Sequence, residues 1–168
     1  MRRSSSAIPP RLRSDKATVA RLLRSCARAW RRRKRPVPRF VGPILYGLLG
    51  LIETERSARE AALAAGDALL AKGAGGHNHF WFRRYAIEAA LQSQAWDEAE
   101  AHADALARRT AAEPLPYSDL IIKRGRISAR MGRGTASDED LGELAALRAK
   151  AAAADFRIDA LRDALRVG

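Results

Sequence analysis

The residues of this chain whose types could do chemistry are three histidines, two runs of carboxylates, a glycine cluster and one cysteine. His77 and His79 invite a metal, but helix positions two apart point about 200° from each other and do not chelate together. His102 belongs to a different segment, so the histidines read as structural residues at a helix start. Asp97, Glu98 and Glu100 follow Trp96 without a companion base. At a helix N-terminus such carboxylates complement the macrodipole, and Asp138, Glu139 and Asp140 read the same way. Gly73-Ala74-Gly75-Gly76 lacks the lysine and the preceding strand of a phosphate loop, so it reads as a helix terminator. Cys26 is alone. That excludes an internal disulfide and a cysteine-based zinc site, and leaves an oxidation or crosslinking position among arginines. No nucleophile–base pair and no metal set stands out, so neither an enzyme nor a cofactor is expected.

The remaining candidates are binding residues. Trp81, Arg84, Tyr85, Lys123 and Arg124 are the expected partner-binding set, with Arg83 and Arg126 beside them. The competing reading pairs these cations with Glu88 and Asp119 on neighbouring turns, as exposed helices commonly do. Trp81, Phe82 and Tyr85 at helical spacing equally suit a core. Arg31, Arg32, Arg33, Lys34 and Arg35 form an unbroken cationic run. Such a run favours phosphate-rich partners through counterion release rather than base reading. Against it stands a plain solubilising leader, because no aromatic residues interleave.

The chain has 168 residues, with 31 Lys+Arg against 19 Asp+Glu and a net charge of +12. The excess is segregated. Residues 1–40 hold 14 cations and one acid, Asp15, whereas residues 41–168 are nearly neutral. This asymmetry marks an attached basic arm, placed at residues 1–39, on a helical body at residues 40–168. The first thirteen residues, rich in Arg, Ser and Pro, read as disordered. Val19, Leu22, Leu23, Cys26, Ala27 and Trp30 share one face of a short amphipathic helix within Asp15–Lys34, which Pro36 and Pro38 stop. An organellar transit peptide is the weaker reading of this Arg- and Ser-rich stretch. Residues 40–52 are too few to span a membrane, so a cytoplasmic protein is expected.

These residues need helices to hold them. Alanine is abundant, β-branched residues are sparse, and helical periods follow one another along the body. Pro43 suits a first helical position, with Ile44, Leu45, Leu48, Leu49 and Ile52 as the apolar set. Glu53–Lys72 is expected as a second helix, with Ala58, Ala61, Ala62, Ala65, Leu69 and Leu70 inward. Asn78 is expected to cap a third helix running to about Ser93. Asp97–Thr110 carries Ala99, Ala103, Leu106 and Ala107. Tyr117–Met131 carries Leu120, Ile121, Ile127 and Met131. Ser137 and Asp140 have the spacing of a capping box before a sixth helix with Leu141, Leu144, Ala145 and Leu147. Asp155 opens a last helix with Phe156, Ile158, Leu161 and Leu165. Helix pairs of about 35 residues are the period of solenoid repeats. The fold expected is all-α, a tetratricopeptide-like α-solenoid of about three helix pairs; a helical bundle is the alternative.

Residues 41–70, His77–Ala95, Trp96–Leu106 and Glu113–Gly125 resemble the C-terminal tetratricopeptide-like region of large bacterial signalling proteins. In those proteins a class III adenylate/guanylate cyclase domain precedes an AAA-type NTPase domain and a helical-repeat tail. The stretches HNHFWFRR, the turn before Trp96, and EPLPYSD carry the resemblance best. It implies a non-catalytic interaction or regulatory module whose partner is a protein, upstream signalling domains among the candidates. The chain would be a detached tail or a stand-alone copy. The apolar helix across residues 44–52 is expected to mediate self-association. The alternative is nucleic-acid binding by the arm, with the body as a dimerisation platform.

Overall fold

The computed structural model describes residues 41–154 and, in the N-terminal stretch, Ser25 alone. The cationic run Arg31–Arg35, Cys26, the rest of Asp15–Lys34 and the expected helix from Asp155 lie outside the described residues. Among the described residues every regular element is a helix. They are α1 (Gly42–Ile52), α2 (Arg56–Ala71), α3 (Gly76–Gln92), α4 (Trp96–Thr110), α5 (Pro116–Arg133) and α6 (Asp138–Ala153). None is long and apolar enough to cross a membrane.

Local chemistry sets most boundaries. Proline opens α1 and α5, where its missing N–H costs no helical bond. Ser137 and Asp140 close a reciprocal capping box on α6, as their spacing predicts. Gly134 ends α5 at φ 74°, in the left-handed region that glycine enters without strain. Thr135 N–H then reaches back to the Arg130 carbonyl at 2.9 Å. Gln94 does the same work after α3 without being glycine, at φ 59°. Its turn is closed by Ala95 N–H on the Ala90 carbonyl at 2.9 Å.

Two expected boundaries are corrected. The second helix starts at Arg56, because Glu53 is extended and breaks the run after α1. Asn78 does not cap α3. The helix begins at Gly76, which places Asn78 inside its first turn and fully buried.

Each element packs on helices one or two places away in the chain. The hairpin partners α1 and α2 pack together; α1 also lies against α3, α3 against α4, and α4 against α5. Smaller α3–α5 and α2–α3 contacts and the seat of α6 on α5 complete the arrangement. The first helices of the three hairpins, α1, α3 and α5, are therefore successive neighbours. Small residues allow the close approach: Ala90, Ala99 and Ala129 form one fully buried seam. Phe82 fills the junction of α1, α2 and α3 and has no exposed surface. Its ring lies where a methyl group on Gly66 would stand, and its backbone and ring come within 3.2 Å of one on Gly47. This reorients α1 relative to its hydropathy pattern. The glycine side, Gly47 and Gly50, turns inward with Leu49, Leu51 and Ile52, while Ile44, Leu45 and Leu48 are only half-buried. In α2 the inward set is Ala62, Leu63, Gly66 and Leu70, with Ala61 exposed. Met131, Leu141 and Ala145, expected inside, are exposed.

Candidate interaction site

Arg124 is not a surface cation. It is 1% exposed and donates two hydrogen bonds to Glu88, itself 2% exposed; the Nη2–Oε2 contact is 3.2 Å. Two ions leave water together only when charge and hydrogen-bond geometry are both matched. The pair joins α3 to α5, so Glu88 finds its cation on another helix rather than on a neighbouring turn. Lys123, one residue away, is exposed and pairs with Glu143 of α6 at 2.6 Å. Arg126 reaches Asp104 of α4 at 2.6 Å. Arg133 bridges Asp97 and Glu100 of α4, at 2.9 and 2.6 Å. Arg130 grips Asp140 and, with the Ser137 backbone, holds its carboxyl down to about 2. Of the cations read together from the sequence, Arg83, Lys123, Arg124 and Arg126 thus go to separate interhelical ion pairs, and Arg124 is removed from any surface role.

Three of the expected binding residues do lie together. Trp81 and Tyr85 are a helical turn apart on α3, with ring centroids 6.2 Å apart and stacked. The Arg84 guanidinium sits 5.4 Å from the Trp81 centroid, within range of a cation–π contact. Arg84 itself is buried, so it supports the indole from beneath more than it faces solvent. Phe82, the third aromatic of the cluster, belongs to the core. Burial raises the Tyr85 phenol above its ordinary value, keeping it a neutral hydrogen-bonding group.

The structure adds residues that sequence reasoning did not single out. Phe80 meets Trp81 edge-on at 5.2 Å and Tyr117 of α5 at 5.4 Å. Tyr117 is 37% exposed and Leu115, just before α5, 47%. Four rings therefore run from α3 across to α5, with an exposed leucine at the α5 end. The signal was faint in the sequence: Tyr117 lies far from Phe80 along the chain, and only the α3–α5 contact joins them. Arrays of half-exposed aromatic rings offer large contact area at low side-chain entropy cost, the usual make-up of an interaction hot spot.

The histidines do not converge. His77 is exposed, whereas His79 is partly buried and held below its ordinary pKa by burial and by Arg109 and Arg83. His102 packs its ring edge against Phe82 and meets Arg83. Among the described residues no group of three or more His, Cys, Asp or Glu side chains could hold a metal ion. A polar cleft of about 430 Å³ lies beside Trp96 and is shared by Arg56, Arg59, Asp97 and Arg133. Its arginines face its own carboxylates: Arg56 pairs with Glu60, and Arg133 with Asp97.

Compared with protein-family models, with curated proteins and with solved structures, the chain matches none.

Proposed function

We propose that this chain is a non-catalytic protein-interaction module of tetratricopeptide-like helical-repeat type, acting in the cytoplasm. The reading is that hairpins α1/α2, α3/α4 and α5/α6 are successive repeats whose first helices present a shared face. The observation that carries it is the aromatic row Phe80–Trp81–Tyr85–Tyr117, half-exposed and bridging α3 and α5. Stacked repeats bind through surfaces formed by several units at once, and a row that crosses two hairpins meets that description. The resemblance to the tail of bacterial cyclase/NTPase signalling proteins supplies the partner class: a protein segment, including domains of such a machine. Self-association through residues 44–52 belongs to the same proposal. It would use the outward side of α1, where Ile44, Leu45 and Leu48 retain exposure.

The test is site-specific photocrosslinking in cells. A crosslinking residue at position 117 should trap one defined protein, and Trp81→Ala should abolish the adduct. The same probe at position 141, on exposed α6, should not trap it. Equal trapping at both positions, or trapping indifferent to Trp81→Ala, would overturn the reading.

The charge segregation favours a second reading, nucleic-acid binding through Arg31–Arg35. It requires affinity that falls steeply with salt and disappears on deletion of residues 1–39. Salt-insensitive binding, or none, eliminates it.

A further inference from the structure

Arg83 occupies the junction of three helices. From α3 its guanidinium reaches Asp67 on α2 and the imidazole of His102 on α4, with Nη1 2.7 Å from His102 Nδ1. A guanidinium has only N–H donors. His102 Nδ1 must therefore present its lone pair, which fixes the ring as the neutral Nε2–H tautomer. The ring is largely buried, with its edge on Phe82 at a centroid distance of 6.2 Å. Phe82 in turn fills the space left by Gly47 of α1 and Gly66 of α2. One arginine thus ties both α4 and α2 to α3 where the first hairpin meets the second.

We propose that His102, Arg83 and Asp67 form an acid-released latch at the α2–α3–α4 junction: a solvent proton taken up at His102 Nδ1 expels the Arg83 guanidinium and loosens α4 from α3.

The balance of charges supports this. A proton on Nδ1 converts an acceptor into a donor and sets two cations at hydrogen-bond distance. From α2 the facing group is Asp67, already engaged by Arg83. From α3 the facing groups are Arg83 and, one turn away, His79, itself held neutral by burial and by Arg109 and Arg83. Along α4 itself Glu98 lies one turn before His102, and Arg109 two turns after it. From α5 the groups that reach α4 are Arg126 and Arg133, and these go to Asp104, Asp97 and Glu100. Of the charges acting on the imidazolium, the Arg83 cation outweighs the Asp67 carboxylate. Burial, then Arg83, lowers the His102 pKa from 6.5 to about 4. The opened state takes its proton at the ordinary value. Between those two values each pH unit of acidification favours opening about tenfold. The inference is independent of the aromatic row.

The test is an imidazole nitrogen NMR titration of the full chain, paired with hydrogen exchange of α4 amides corrected for intrinsic rates. At pH 7, His102 should show the Nε2–H tautomer, and its midpoint should fall below 5. Opening of α4 should grow about tenfold per pH unit below 6.5. His102→Gln retains an acceptor without titrating and should flatten that dependence. Should His102→Gln fail to fold, Arg83→Met serves: removing the cation should raise the His102 midpoint by about one unit. An Nδ1–H tautomer, a midpoint near 6.5, an α4 opening that ignores pH, or an unmoved midpoint in Arg83→Met would each overturn the latch.

Discussion

Replacing Arg124 by methionine leaves the Glu88 carboxylate buried without its cation. Both partners are almost fully enclosed between α3 and α5, at 1% and 2% exposure. Relaxation room is small there: a methyl group on the adjacent Gly125 would stand 3.0 Å from Ile87 Cγ2. Breaking a buried pair from one side costs about 3–5 kcal/mol. For a domain of this size that is roughly 6–20 °C in Tm. The double change Glu88→Met/Arg124→Met removes both charges and keeps comparable volume, so it should recover most of the loss or exceed the parent. Urea unfolding followed by circular dichroism gives all the corners of this cycle. A loss below about 1 kcal/mol for Arg124→Met would be the value of an exposed pair. It would refute the close α3–α5 contact on which the aromatic row depends.

Other changes probe separate parts of the fold. Gly66→Ala drives a methyl group into the Phe82 ring and should cost about 1–3 kcal/mol, read as a lower urea midpoint. Gln94→Gly relieves a left-handed residue and should stabilise by about 0.5 kcal/mol after glycine's entropy cost; a lower midpoint would show that the Gln94 side chain holds the turn. Acid should destabilise in two steps. His102 is depressed in the folded chain, so its share of stability, about 3 kcal/mol, is complete above pH 6.5 and lost on descending toward 4. Asp140 is also depressed, so its share is present above 3.8 and lost as pH falls toward 2. Asp140→Asn should remove only the second step, and a flat urea midpoint between pH 7 and 5 would contradict the first.

What could be read from the sequence was local. Pro43 and Pro116, the Ser137–Asp140 spacing and the glycines after α2 and α5 mark helix ends by chemistry that acts within a few residues. The misplacements came from distant contacts. Asn78 has the composition of a cap, but α3 begins earlier and draws it into the interior, where its amide has no protein hydrogen-bond partner. The hydropathy of α1 points to Ile44 and Leu48, yet Phe82 on α3 needs the space that only Gly47 leaves. Lys123, Arg124 and Arg126 look alike in sequence. Only the fold sends Arg124 to Glu88, 36 residues upstream, while its neighbours reach α6 and α4. For the candidate site, helical spacing placed Trp81 and Tyr85 together. Phe80 and Tyr117 joined them through the α3–α5 packing, which no local pattern encodes.

The central claim is that the face formed by α3 and α5 binds a protein segment. Its most direct test is calorimetric titration of the full chain with the purified protein trapped at position 117. Saturable one-site binding is expected, weakened about 30-fold or more by Trp81→Ala or Tyr117→Ala, the scale of a hot-spot residue. Leu141→Ala should leave the affinity unchanged. Binding that survives loss of both aromatic residues, or that vanishes only with deletion of residues 1–39, would contradict the account.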